Sequence, residues 1–334
     1  MVSKIAIACQ GGGSHAAFAA GVLLRLLSPE LRAGYELKGI SGTSGGAMCA
    51  ALAWAGLICE GGGPDEAMRR LSGFWETLKA DDLPSYLTNA LSLAAARLPV
   101  TMEISPYFVP APAASIMRGW LEDHLRLDEI KGRPAAPPQL LIGATDVLSG
   151  QRVVIGGDKI TYDALIASAA VPFLYEAVPF ENFMLWDGLF SVNPPVRELI
   201  REEIDELWII QINPQASLSV PVTTAEIIDR RNELSGNIAL AQELHFVHTI
   251  NELLAAQAKL GDGTLPLGDG NYRKVTIRLV EAGLDKYDYA SKLDRDPSFI
   301  DHLMKLGWDR ASGFFDDASL WPRPEAITAK ELRV

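Results

Sequence analysis

Gly42-Thr43-Ser44-Gly45-Gly46 is the stretch of this chain best suited to covalent chemistry. It follows Leu37-Lys38-Gly39-Ile40-Ser41, which reads as a short strand, and precedes a run of helix formers from Ala47 to Ala53. A serine on a sharp strand-to-helix turn needs glycines two residues to either side, because Cβ atoms there would collide with the neighbouring strand and helix. Gly42 and Gly46 supply them, so the pentapeptide reads as a G-x-S-x-G nucleophile elbow carrying Ser44. The N–H groups after the serine open the helix and face developing negative charge. The alternative is an ordinary glycine turn capping a buried helix.

A second glycine turn lies upstream. Ile5-Ala6-Ile7-Ala8-Cys9 reads as a core strand, and Gln10-Gly11-Gly12-Gly13-Ser14-His15-Ala16 leads from it into a helix over Ala17 to Leu27. Such a turn exposes backbone N–H groups to an anion. One use is dinucleotide binding, G-x-G-x-x-G/A, which wants an acidic residue ending the second strand. Here that strand ends in Ser41-Gly42, with Glu36 before it, so this reading is weak. The other use is an oxyanion hole, which a nucleophile at Ser44 would require. Two successive strand–turn–helix units with parallel strands bring both turns to the same sheet edge.

The rest of the chain must position these turns. With 334 residues, 48% of them apolar, it can bury a large α/β core. A net charge of −12 with scattered Lys and Arg argues against nucleic acid and against strong attraction to an anionic membrane surface. Cys9, Cys49 and Cys59 are odd in number and lack zinc spacing, which suits buried thiols in a reducing compartment. No segment is long enough to span a bilayer, and the apolar run after Lys4 is too short for a signal sequence, so the expected location is cytoplasmic.

Pro64 to Lys79 carries the pattern of an amphipathic helix, and Ile116 to Leu127 is predicted helical. Between them, Asp81 to Pro112 holds five prolines and an uncharged apolar stretch, Leu83 to Ala96. A segment of this kind is either a packed insertion or a cover over a cleft, suited to an acyl chain or a lipid interface. Strands are predicted over Gln139 to Ala144, Arg152 to Ile155, Phe183 to Trp186, Glu206 to Ile212 and Lys274 to Leu279. Helices are expected over Tyr162 to Ala170, from Thr223 to about Leu260, and over Phe299 to Phe315. The tail after Trp321, with two prolines, is expected to be loosely held. Two carboxylates follow apolar strands. Asp146 sits before Ser149-Gly150, where capping a turn is the simpler role, and Asp187 closes Phe183-Met184-Leu185-Trp186 ahead of Gly188. His245 and His248 share a helix face, but nothing beside them completes a metal site.

Taken together, Gln10-Gly11-Gly12-Gly13, Gly42-Thr43-Ser44-Gly45-Gly46 and Trp186-Asp187-Gly188 resemble the patatin-like phospholipases, of the bacterial type. So do Ala167 to Phe173, Ile212-Asn213-Pro214 and Ser291-Lys292-Leu293. The resemblance implies a three-layer α/β/α fold with a mostly parallel central sheet, its core at residues 5–200, with 201–334 adding a strand and helices to the same body. It implies a Ser44–Asp187 dyad hydrolysing lipid acyl esters through an acyl-enzyme. The oxyanion hole would draw on Gly11, Gly12, Gly13 and Gly45. Neither a metal nor an organic cofactor is called for, and the partner is the lipid or acyl ester itself, with transient membrane-surface contact. Oligomeric state stays open. Two departures stand out: Ala16 takes the place of the last glycine of the first motif, and Leu189 follows Asp187-Gly188 where a small residue is usual. Three alternatives remain at this point: an α/β-hydrolase with His245 or His248 as base, a nucleotide-binding oxidoreductase, and a non-catalytic lipid-binding protein.

Overall fold

Alternation along the first strand sets up the layers. In β1 (Ser3–Cys9), Ile5, Ile7 and Cys9 enter one hydrophobic core while Ala6 and Ala8 enter another on the opposite face. A strand buried on both faces belongs in the middle of a sheet covered by helices on both sides. The computed structural model describes residues 2–96, 105–108, 113–130, 132, 137–172, 174–201, 203–217, 219–258, 265–267 and 270–316.

In chain order, β1 is followed by α1 (Ala17–Leu27), β2 (Tyr35–Thr43), α2 (Gly45–Ile58), α3 (Pro64–Leu78), α4 (Leu83–Ala96) and α5 (Ala113–Leu125). Then come β3 (Gln139–Asp146), β4 (Arg152–Gly156), α6 (Tyr162–Ser168), β5 (Val178–Phe180) and β6 (Phe183–Asp187). The last third contains β7 (Glu206–Gln211), α7 (Thr224–Ala258), a small hairpin of β8 (Leu265–Leu267) and β9 (Gly270–Tyr272), β10 (Thr276–Glu281) and α8 (Pro297–Asp316).

The central sheet has eight strands in the order β10-β7-β1-β2-β3-β6-β5, with β4 also paired to β3. From β10 to β3 all neighbours are parallel. The pairs β3–β4, β3–β6 and β6–β5 are antiparallel. One face carries a core built from α1, α2, α3, α5, α6 and α8. The other carries the core beneath α7 and the segment around Leu199 and Ile200. The expected three-layer α/β/α architecture with a mostly parallel sheet is what forms.

Helix α2, uncharged throughout, is almost wholly buried, as its composition predicts. Helices α1 and α8 approach closely because Gly21 lies against the Met304 carbonyl and Gly307 against that of Phe18, where no Cβ could fit. Two strands of the last third, β7 and β10, extend the same sheet rather than one. Of the proline-rich insertion, α4 and residues 105–108 are described. Residues 97–104 and 109–112 and the tail after Trp321 lie outside the described residues, as does Phe173.

Candidate active site

Strand β2 delivers Ser44. Its last residue, Thr43, stands opposite Gly143 of β3, and the next residue turns sharply with φ 56° and ψ −131° before α2 begins. A non-glycine residue in that conformation is strained and needs support on every side. Glycines provide the room: a Cβ on Gly42 would meet the Gly46 backbone, and one on Gly46 would meet the Cys9 carbonyl. Ser168, fully buried at the end of α6, supplies the clamp. Its hydroxyl accepts the Ser44 N–H at 2.9 Å and donates to the Gly143 carbonyl at 2.6 Å.

Asp187 reaches the same point from the opposite direction. Strand β6 runs antiparallel to β3, with Asp187 opposite Ala144, one residue beyond the Thr43–Gly143 pair. The carboxyl-terminal ends of β2 and β6 therefore meet along β3, and Gly188 packs directly on Gly143 and Thr43. The Asp187 carboxylate is buried, and burial pushes its pKa up to about 7. The Ser44 hydroxyl and the Leu189 N–H temper that rise. Oδ1 accepts the Leu189 N–H at 2.9 Å, while Oδ2 makes no bond of full hydrogen-bond geometry among the described residues and the Ser44 hydroxyl is its interacting neighbour. A buried carboxylate oxygen whose one neighbouring donor is a serine hydroxyl is suited to take that proton. Leu189, the departure from the usual small residue, contributes through its backbone, which any residue type would do.

The first glycine turn lies against this elbow. A Cβ on Gly11 would stand 2.6 Å from the Thr43 carbonyl and 2.8 Å from the Ser44 Cβ. Ala16 is accommodated because Gly45 faces it: a Cβ there would be 2.7 Å from the Ala16 methyl. The loop is held by side chains that sequence reading left without roles. Gln10 accepts the N–H groups of Ile212 and Asn213 through Oε1, both at 2.9 Å. Asn213 donates to the Gly11 carbonyl at 3.2 Å, and Asn193 accepts the Gly11 N–H at 2.7 Å. The Gly11 N–H is thus engaged by Asn193, which sets Gly11 apart from the other three glycines named as oxyanion donors. Gly13 begins the short 3-10 turn that runs into α1, and Gly45 begins α2, so both stand where backbone N–H groups lack intrahelical acceptors. All of these holding residues sit beside a glycine or proline in the sequence, and that is the signal that could have found them.

The remaining candidates lie elsewhere in function. Asp146 accepts Ser149 through both its N–H and its hydroxyl, and the Met184 N–H as well, so it caps the turn. Those bonds, the Ser149 hydroxyl first, hold its pKa below the usual value. His245 is exposed, and His248 pairs with Glu252 at 3.2 Å on its own helix. His15 is buried beneath the glycine turn, with Nε2 2.7 Å from the Ser291 hydroxyl. Burial, and then Lys292, push its pKa down to about 3. Among the described residues, no group of three or more His, Cys, Asp or Glu could hold a metal ion.

With an elbow serine, a glycine turn against it and a buried carboxylate arriving from a third strand, the comparison with known families is direct. Residues 7–200 match the family of patatin-like phospholipases. The chain belongs to that family. No curated protein matches it. Among solved structures, this patatin-like protein is similar to VipD from Legionella pneumophila, at 12% identity over 95% of this chain and 67% of that one, with a TM-score of 0.41. It is also similar to the type III effector protein ExoU, at 16% identity over 93% of this chain and 52% of that one, with a TM-score of 0.38. A full-length complex of ExoU with SpcU from the type III secretion system of Pseudomonas aeruginosa aligns at 14% identity over 78% and 58% of the two chains, with a TM-score of 0.29. The chain thus spans 52% and 58% of the length of these two ExoU chains.

Ser168 yields a stability prediction. Ser168→Ala leaves the Ser44 N–H and the Gly143 carbonyl buried without their partner, at a cost of about 1–3 kcal/mol for each such group. Urea denaturation should show a loss in the low single digits of kcal/mol. A change below about 0.5 kcal/mol, the range of an unremarkable surface substitution, would mean that the elbow is held by other contacts.

Proposed function

We propose that this protein is a serine acyl hydrolase acting on lipid acyl esters, with Ser44 as nucleophile and Asp187 as general base. The observation that carries the reading is the meeting of two strand ends on β3, one bearing strained Ser44 and the other bearing the buried Asp187 carboxylate, with which the Ser44 hydroxyl interacts. The Ser44 Oγ attacks the ester carbonyl carbon as its proton passes to Asp187 Oδ2. The carbonyl oxygen becomes an oxyanion and is received by the N–H groups of Gly12 and Gly13, with help from Gly45. Collapse breaks the ester bond, and the departing alcohol takes the proton from Asp187, leaving an acyl-enzyme on Ser44. A water molecule then gives its proton to Asp187 and attacks the acyl carbon. The second collapse releases the acid and returns the proton to Ser44.

A carboxylate is an inefficient base toward a serine hydroxyl unless its pKa is raised. Burial of Asp187 meets that requirement, since about 7 is close to ordinary working pH. Residues 5–200 would hold the catalytic machinery, and 201–334 would complete the sheet and brace the glycine turn through Gln10, Asn213 and the segment around Lys292.

Incubation with a fluorophosphonate probe followed by peptide mass spectrometry tests the assignment. Labelling is expected on Ser44 alone. Labelling on Ser14, or binding of a nicotinamide cofactor with no labelling, would overturn it.

A further inference from the structure

Helix α4 turns most of its large apolar side chains to solvent. It rests on the body along a narrow strip of Ser85, Asn89, Leu93 and Ala96, of which Asn89 is buried. The Asn89 amide donates to Asp294 at 2.9 Å, and its carbonyl accepts the Arg295 N–H at 3.0 Å. On the opposite side, Leu83, Tyr86, Leu87 and Leu91 are 51–71% exposed, with Ala90 and Ala94 between them. A helix whose one buried side chain is an asparagine, while most of its large apolar side chains face solvent, departs from the ordinary pattern.

Its position ties this face to the site. Asp294 and Arg295 directly follow the Tyr289–Leu293 turn. In that turn the Lys292 carbonyl lies against Gly13, and the Ser291 hydroxyl holds His15. Helix α4 is thus seated on the segment that seats the glycine turn. We propose that α4 is a docking helix that lays the protein on an uncharged lipid surface beside Ser44. The proposal rests on the acyl-hydrolase reading for its choice of partner.

Charge selects that partner. Leu83–Ala96 carries no charged residue, and the chain as a whole carries −12, so attraction to anionic headgroups is absent. What remains is transfer of leucine and tyrosine side chains into the apolar boundary of a neutral bilayer.

Cosedimentation with phosphatidylcholine vesicles tests this, using Ser44→Ala protein so that binding is read apart from turnover. Adding Leu87→Asp and Leu91→Asp should lower the partition coefficient by about tenfold or more, the scale set by burying one leucine. With Ser44 intact, the double-aspartate variant should hydrolyse a soluble short-chain ester within about twofold of the native rate, far from the losses of a nucleophile variant. Vesicle binding that survives the substitutions, or that is absent from the start, overturns the docking role. So does binding restricted to phosphatidylserine vesicles, or a dimer in sedimentation velocity that the substitutions dissolve. Loss of soluble-ester hydrolysis along with binding would assign α4 to the fold or the cleft and overturn it as well. If native protein hydrolyses no ester while vesicle binding still depends on Leu87 and Leu91, the hydrolase reading fails and the docking surface stands.

Discussion

Ser44→Ala is expected to lower kcat/KM for ester hydrolysis by on the order of 10³-fold or more, leaving only the residual contribution of binding and oxyanion stabilisation. The expectation rests on the geometry of the elbow. The substitution removes one oxygen and leaves the backbone at φ 56° with its supports unchanged: Gly42, Gly46 and the Ser168 hydroxyl on the residue-44 N–H. Alanine tolerates that conformation no worse than serine, so the protein should fold and melt as the native one does. Ser14 provides the internal control, because it also lies near a glycine turn and is buried, but it belongs to the 3-10 turn that starts α1. Ser14→Ala should keep kcat within a few-fold, well short of a nucleophile loss. Steady-state kinetics on a soluble short-chain ester with both variants decides the matter. A dead Ser14→Ala with an active Ser44→Ala would move the site to the wrong serine for this mechanism.

Much of the scaffold was legible because its signals are local. Glycines two residues either side of Ser44 announce a crowded turn, and each proves to face a backbone that leaves no room for a Cβ. The uncharged run that becomes α2 announces a helix buried all round, and the alternation of Ile5 to Cys9 lies in a strand buried on both faces. Asp146 shows the same economy: a carboxylate three residues before a serine caps its own turn.

What was not legible depends on pairs far apart in the chain. That β6 meets β2 head-on along β3 cannot be read from Phe183–Asp187, since an apolar strand carries no mark of direction. The engagement of the Gly11 N–H by Asn193 links residues 182 positions apart. Gln10, Asn193, Asn213 and Ser168 act through hydrogen bonds to backbone, and a buried amide or hydroxyl of that kind has no periodicity to reveal it. Helix α4 illustrates a different limit. Its apolar, uncharged composition suits a core helix as well as a surface one, and only the exposure of Leu83, Leu87 and Leu91 in the folded chain rules out the core.

Asp187→Asn should abolish turnover and at the same time stabilise the protein at alkaline pH. The catalytic loss follows from chemistry: an amide nearly preserves the shape and keeps an oxygen for the Leu189 N–H, but it cannot accept the Ser44 proton. If Asp187 is the base proposed above, its ionised form is the active one, and with burial raising its pKa to about 7, native kcat/KM should rise with pH, up to tenfold per unit below that value, and level off above it. The stability effect has the opposite sign. Burial raises the folded-state pKa from 3.8 to about 7, so the neutral carboxyl is favoured in the folded protein. Its contribution is fully present below pH 4 and is lost as pH rises through 7. A shift of that size corresponds to on the order of 4 kcal/mol, at about 1.4 kcal/mol per unit. The uncharged amide carries no such penalty, so the variant should match native stability near pH 4 and exceed it by up to that order at pH 8, read by urea denaturation at both values. The histidines complete the test. His245→Gln and His248→Gln should keep kcat within a few-fold, since the first side chain is exposed and the second is paired with Glu252. An inactive histidine variant beside an active Asp187→Asn would replace the carboxylate with an imidazole as the base.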